Sequence, residues 1–116
     1  MGSSLSVIFF RSPGGREPVR DWLMDLSVED RKRVSVDIRT VQFGWPVGMP
    51  VCRPLKNGLW EVRTRISHGR ITRVIFFIHA DVVYLLHGFI KKTQATPKSD
   101  LELASKRMNN IRKGLS

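Results

Sequence analysis

The sequence predicts a compact α+β fold, a mostly antiparallel sheet with helices packed on one face, in the order β-α-α-β-β-β-α. Residues 59–90 hold three successive runs dense in Val, Ile, Phe, Tyr and Trp, the residues that suit a pleated and half-buried surface. Only short polar breaks separate the runs, and short breaks join strands that run antiparallel. Around this meander, three other stretches repeat their apolar residues every three or four positions, the period of a helix with one buried face. At 116 residues and 41% hydrophobic, the chain reads as one domain over 1–116 with a core large enough to fold without staples.

Residues 1–4 read as a frayed tail; Met1-Gly2-Ser3-Ser4-Leu5-Ser6 also matches a myristoylation pattern, which is short enough to arise by chance. Leu5-Ser6-Val7-Ile8-Phe9-Phe10 is a first strand that pairs with the meander, ended by the turn cluster Ser12-Pro13-Gly14-Gly15. Pro18 opens a helix in which Val19, Trp22, Leu23 and Leu26 fall at i, i+3, i+4 and i+7, so Trp22 is a core residue. Ser27 caps a second helix with Asp30 three residues on, and Val34, Ile38 and Val41 form its buried stripe. Its other face carries Arg31, Lys32, Arg33 and Arg39, either as a solvated face or as an extension of a basic surface. Gly44-Trp45-Pro46 ends that helix, and the loop through Gly48, Pro50 and Pro54 has too many breakers for regular structure.

The three meander strands are expected over 59–66, 70–78 and 82–90, joined by Ser67-His68-Gly69 and His79-Ala80-Asp81. If both loops hold three residues, Arg63 lies opposite Arg73 and Arg73 opposite His87, all on one face. A two-residue turn would shift the register by one and separate Arg63 from Arg73. Cations directly opposite one another are unfavourable unless an anion sits between them, which is what a phosphate site would look like. Thr96-Pro97 caps and starts a last helix with Leu101, Ala104, Met108 and Ile111 in its stripe; Arg107, Arg112 and Lys113 suit its dipole.

The net charge of +10, from 20 Lys and Arg against 10 Asp and Glu, favours a polyanionic partner: nucleic acid first, an acidic protein second, an anionic membrane third. The bland alternative is a basic protein with no such partner. Cys52 is the single cysteine, so no internal disulfide and no zinc-finger spacing exist, and a reducing cytoplasm is the natural compartment. Beside Pro54 and with no evident base, Cys52 reads as a small apolar residue and not as a nucleophile. No apolar run reaches the roughly 18–20 residues of a membrane span, so the chain is expected to be soluble and not secreted, with no membrane-spanning segment.

No Gly-rich phosphate loop, HExxH or GxSxG is present, so no cofactor and no metal are expected. What remains is cations, an imidazole and aromatics around a phosphate position, which suits RNA cleavage by the substrate's own 2′-hydroxyl. In that reading His87 is base or acid, and Arg73 and Arg63 are electrostatic clamps. Lys56 in the loop before the meander, Arg65 beside Arg63, and Lys91 and Lys92 after the last strand would grip RNA. Trp60, Phe76 and Phe77 are core residues, while Phe89 could stack on a base. Glu61 is the sole acid in the two strands nearest Arg73, and it stands better placed for other cations, so a phosphate is the expected partner of Arg73.

Three segments carry a family resemblance: residues 55–63 (Leu-Lys-Asn-Gly-Leu-Trp-Glu-Val-Arg), residues 69–74 (Gly-Arg-Ile-Thr-Arg-Val) and residues 87–97, which open His-Gly-Phe-Ile-Lys-Lys-Thr and close Thr-Pro. They resemble the phage-derived, HigB-like branch of the RelE toxin superfamily, over roughly residues 5–113. The resemblance implies a RelE-like domain that is the toxin of a type II toxin-antitoxin pair: an mRNA endoribonuclease acting in the ribosomal A site, partnered by a helix-turn-helix antitoxin. It implies that Arg73 faces the scissile phosphate and that Lys56, Arg63 and Lys91 hold RNA. Better-known members carry a catalytic Tyr near the C-terminus; this chain has only Tyr84, inside a strand, and His87 stands as the substitute. Two other classes remain open: a non-catalytic nucleic-acid- or ribosome-binding module, and a phage assembly protein holding an acidic partner.

Overall fold

The computed structural model describes residues 4–115, so the tail expected over 1–4, apart from an exposed Ser4, and the myristoylation pattern's Gly2 lie outside the described residues. Strand β1 is Ser6–Phe9, followed by helices α1 (Pro18–Asp25) and α2 (Val28–Gly44). Next come β2 (Cys52–Pro54), β3 (Trp60–Arg65), β4 (Ile71–His79), β5 (Val82–Ile90) and helix α3 (Lys98–Leu115). The sheet order is β1-β5-β4-β3-β2, antiparallel throughout except that β1 runs parallel to β5.

The α+β class and the meander stand, with one strand more than expected. The breaker-rich loop contains β2, paired to β3 at the sheet edge, where Pro54 loses no ladder bond by lacking an N–H. The order is thus β-α-α-β-β-β-β-α.

Ser27 caps α2 as expected, its hydroxyl accepting from the Asp30 amide at 3.2 Å. Arg31, expected on an outer face, turns back instead and donates to the carbonyls of Leu23, Met24 and Leu26, which closes the open end of α1. Asp30 is buried beneath the β3–β4 turn, where it accepts from the Ser67 amide (3.0 Å), the Ser67 hydroxyl (2.8 Å) and Arg70 (3.2 Å).

The first meander loop holds three residues, with His68 and Gly69 both left-handed, and Arg63 sits opposite Arg73 as the three-residue reading requires. The second does not. His79 pairs with Val82, leaving a two-residue turn of Ala80 (φ 50°) and Asp81 (φ 63°). A β-bulge then adds Leu86 to β5, so that Phe76 pairs with Leu85 but Ile75 with His87. The two offsets cancel in parity: His87 keeps the face of Arg73, yet Arg73 lies opposite Phe89 and not His87. Arg107 of α3, expected to serve the helix dipole, instead donates to the Leu86 carbonyl at the bulge (2.8 Å).

Helices cover both faces of the sheet, which corrects the one-face expectation. α1 and α2 bury Val19, Leu23, Val34, Ile38 and Val41 against Val62, Val74, Phe76, Val83 and Leu85. α3 buries Ala104 and Met108 against Leu59, Ile75, Phe77 and Leu86 on the opposite side. Alternation explains this: Ile75 and Phe77 point away from Val74 and Phe76, and so many apolar residues on both sides need two covers. Trp22 packs over Gly88, where a Cβ would come within 2.5 Å of its ring, so only glycine fits.

Candidate functional site

On the α3 side of the sheet, the strand pairings set polar residues in three rows. Arg53, Glu61, Ile75 and His87 form one row; Arg63, Arg73 and Phe89 the next. Arg65, Ile71 and Lys91 form the third, with the Lys91 amide bonded to the Ile71 carbonyl at 2.7 Å. α3 covers the Ile75–Phe77 end, which leaves the cationic end uncovered by helix.

Glu61, fully buried, is the hub of that end. Its carboxylate pairs with Arg53, and its Oε2 lies 3.2 Å from Nε of Arg73, which is itself 1% exposed. The Arg73 Nε is in ionic contact but not aimed for a hydrogen bond. Its two terminal nitrogens donate to Thr96 Oγ1 (2.9 Å) and to the Gln94 carbonyl (2.8 Å). Thr96 in turn donates to Glu61 Oε1 at 3.2 Å. The expectation that Arg73 lacks a protein partner is therefore overturned: Glu61, two residues from Arg63 and expected to serve other cations, reaches Arg73 diagonally from the neighbouring strand. Thr96, expected as the cap of α3, spends its hydroxyl here.

Two cations thus contact one carboxylate, and two more, Arg63 and Lys91, lie within electrostatic reach of the cluster. Lys91 registers the surplus: desolvation first, then the charges of Arg73, Arg63 and Arg53, push its ammonium below the ordinary lysine value against the opposing pull of Glu61. Burial likewise lowers the Arg73 guanidinium, with Glu61 opposing and Arg53 and Arg63 adding to the shift. The Arg63 Nε is buried with no hydrogen-bond partner. Arg63 and Arg65 line a hollow of about 320 Å³ with Pro50, Val51 and Ile71, and Lys91 and Lys92 line another of about 390 Å³ with Arg70 and Ile71. These hollows flank Ile71, so the half-buried cations of the cluster open on solvent on both sides of it.

His87 stands at the covered end of the same face. Its Nε2 lies 2.6 Å from Asp100 Oδ1 of α3, and its ring stacks on Phe89 at 5.3 Å between centroids. A carboxylate on Nε2 fixes the tautomer with its proton there and leaves Nδ1 as the basic atom. The same stacking occupies one face of Phe89, which is half-buried against the core and also lines a hollow with Lys92 and Pro97.

The structure brings Arg63, Arg65, Arg73 and Lys91 together and keeps His87 and Phe89 on their face. It sets Lys56 apart, in a groove of about 650 Å³ against α3 with Lys98, Lys106 and Lys113. Lys92 is exposed on the strap of residues 92–96 that covers Arg73. Tyr84 stacks on Phe77 at 5.0 Å, inside the sheet. Sequence reasoning missed Arg53, Gln94, Thr96 and Asp100, whose roles depend on contacts 13 to 43 residues apart. Cys52 is buried, and burial pushes its thiol up to about 11, far from a nucleophile's range. Among the described residues no three His, Cys, Asp or Glu side chains gather as metal ligands, and no helix is long and apolar enough to cross a membrane.

A comparison with curated proteins gave no match. A family model described as phage derived protein Gp49-like (DUF891) matches residues 21–109, from α1 through most of α3, and so includes every residue of the cationic cluster, the strap and the His87–Asp100 pair. The chain belongs to the phage-derived Gp49-like family.

Proposed function

We propose that this protein is the toxin of a type II toxin-antitoxin pair, a HigB-like, RelE-superfamily endoribonuclease that cleaves messenger RNA on the ribosome and so stops translation. The observation that carries the reading is the surplus of cations around Glu61. Arg53 and Arg73 pair with the one carboxylate while Arg63 and Lys91 stand beside them without a carboxylate of their own, and an arrangement so far from neutrality gains by taking up a phosphate. Arg63 and Lys91, half-buried beside open hollows, are the groups that would meet it.

The reaction needs no group beyond the chain and the RNA. His87 Nδ1 takes the proton of the 2′-hydroxyl; the freed oxygen attacks phosphorus; the bond to the 5′-oxygen breaks and that oxygen takes a proton from solvent, leaving a 2′,3′-cyclic phosphate and a 5′-hydroxyl end. Arg63 and Lys91 stabilise the charge that builds on the phosphorane oxygens, while Arg65 and Lys92 hold neighbouring phosphates. Asp100 positions His87, and Arg73 acts from beneath the strap by fixing Glu61 and Thr96.

The test is primer extension on a ribosome-bound message in a reconstituted translation reaction. New 5′ ends are expected with the native chain; Arg63→Ala should lower their rate of appearance by roughly a hundred- to a thousandfold, the range for losing one preorganised charge. His87→Ala should abolish them while leaving ribosome binding intact. A second reading, a non-catalytic RNA- or ribosome-binding module, draws on the burial of Arg73 and its full set of protein partners. It would gain if no new ends form while binding persists.

A further inference from the structure

α2 carries apolar residues on two faces. Val34, Ile38 and Val41 are buried under the sheet, while Val28, Val36 and Phe43 are 58%, 58% and 66% exposed. With the exposed Lys32 and Arg39 they form the ladder Val28, Lys32, Val36, Arg39, Phe43, apolar and basic in strict alternation. At about 100° per residue, all five fall within one stripe about 80° wide, opposite the buried one, and the stripe runs about 22 Å along the helix. Single exposed apolar side chains are ordinary, but three large ones aligned along one helix face mark a surface made to be covered.

We infer that this stripe docks an acidic amphipathic helix of another protein, one with apolar residues every three or four positions and Asp or Glu beside them. Lys32 and Arg39 lie between the apolar anchors, so a partner that covers Val36 and Phe43 must meet both cations, and only acids there avoid burying an unpaired charge. Exposed Arg33 adds to the positive rim, and Glu29 is the sole acid on the solvent side. A nucleic acid would use the cations but gain nothing from Val28, Val36 and Phe43. A second copy of the chain would set Lys32 and Arg39 against cations like themselves, in a protein already at +10. The inference is independent of the RNA-cleaving reading: α2 packs on the sheet face opposite Arg63 and Lys91, and a partner here leaves the cationic cluster open.

The probe is a synthetic four-turn helical peptide with leucines at alternating spacings of three and four and glutamates flanking them, titrated into the ¹⁵N-labelled full chain. Amide shifts are expected to concentrate on α2, with affinity falling as salt is raised. Val36→Ser with Phe43→Ser should weaken binding by about tenfold or more, the loss typical of central apolar anchors. Lys32→Glu with Arg39→Glu should do the same and transfer preference to a lysine-flanked version of the peptide. All four side chains are exposed, so thermal melts of both variants should match the native chain. The inference falls if the lysine-flanked peptide binds the native chain equally, if either double variant keeps native affinity, or if the shifts map to the Arg63–Lys91 face. It falls too if an RNA oligonucleotide shifts the same α2 amides, or if sedimentation shows a dimer that Phe43→Ser dissolves.

Discussion

Glu61→Gln keeps the volume of the side chain and removes the one negative charge among Arg53, Arg63, Arg73 and Lys91. Arg73, 1% exposed, is then a buried cation whose remaining contacts are a hydroxyl and a carbonyl. Breaking a buried pair from one side costs about 3–5 kcal/mol, because the partner stays behind uncompensated. For a domain of this size that lowers the melting temperature by roughly 10–20 °C. Arg73→Ala should cost less, since Glu61 keeps Arg53 and Thr96, while replacing both members by apolar residues, Glu61→Leu with Arg73→Met, should restore much of the loss. The four cations left in Glu61→Gln form a vacant anion site, so phosphate or sulfate should raise its melting temperature more than that of the native chain, as linkage requires of a ligand bound only by the folded state. The assay is differential scanning calorimetry of the four proteins with and without phosphate. A loss of one or two degrees for Glu61→Gln, or an equal response of native and variant to phosphate, would refute the reasoning that Glu61 is the electrostatic keystone.

Gly88→Ala forces a methyl to within 2.5 Å of the Trp22 ring and should destabilise by about 1–3 kcal/mol, read from a urea melt with tryptophan fluorescence reporting the displaced ring. Asp30 is held below its ordinary carboxylate value, chiefly by the Ser67 amide and then the Ser67 hydroxyl. Its folded value lies under its unfolded one, so its contribution is present above the unfolded value and is lost as the pH falls through the folded one. Acid melts should therefore separate native from Asp30→Asn protein near neutral pH and bring them together well below pH 3.8. Lys91 should titrate below ordinary lysines, observable by NMR of its side-chain carbons, and Arg63→Ala should move it back up because one of the cations that depress it is gone. RNA affinity should fall by roughly fifty- to a hundredfold on quadrupling salt if four or five phosphates are neutralised on a single strand; a flat titration would assign the charge to another partner.

The sequence alone determined what depends on neighbours in the chain. Helix periods, the Ser27 cap, the three meander strands and the three-residue loop at Ser67 are local, and from that loop alone followed Arg63 opposite Arg73. The surplus of positive charge was equally legible, since it is a sum over composition. Contacts between distant residues were decided only by the fold. Ala80 and Asp81 make a two-residue turn without glycine, and the Leu86 bulge, braced by Arg107 from α3, returns His87 to the face that the turn had taken it from. Alternation carries a register error along a whole strand, so nothing local could reveal one offset, let alone two that cancel. Pro54 argued against a strand until the edge position of β2 removed the objection. Arg73 has the same history: its strand neighbours predicted a cation in need of a partner, but only the packing of the strap and the diagonal reach of Glu61 supplied it. Local rules name the groups that need satisfying, and tertiary structure chooses which of them satisfy one another.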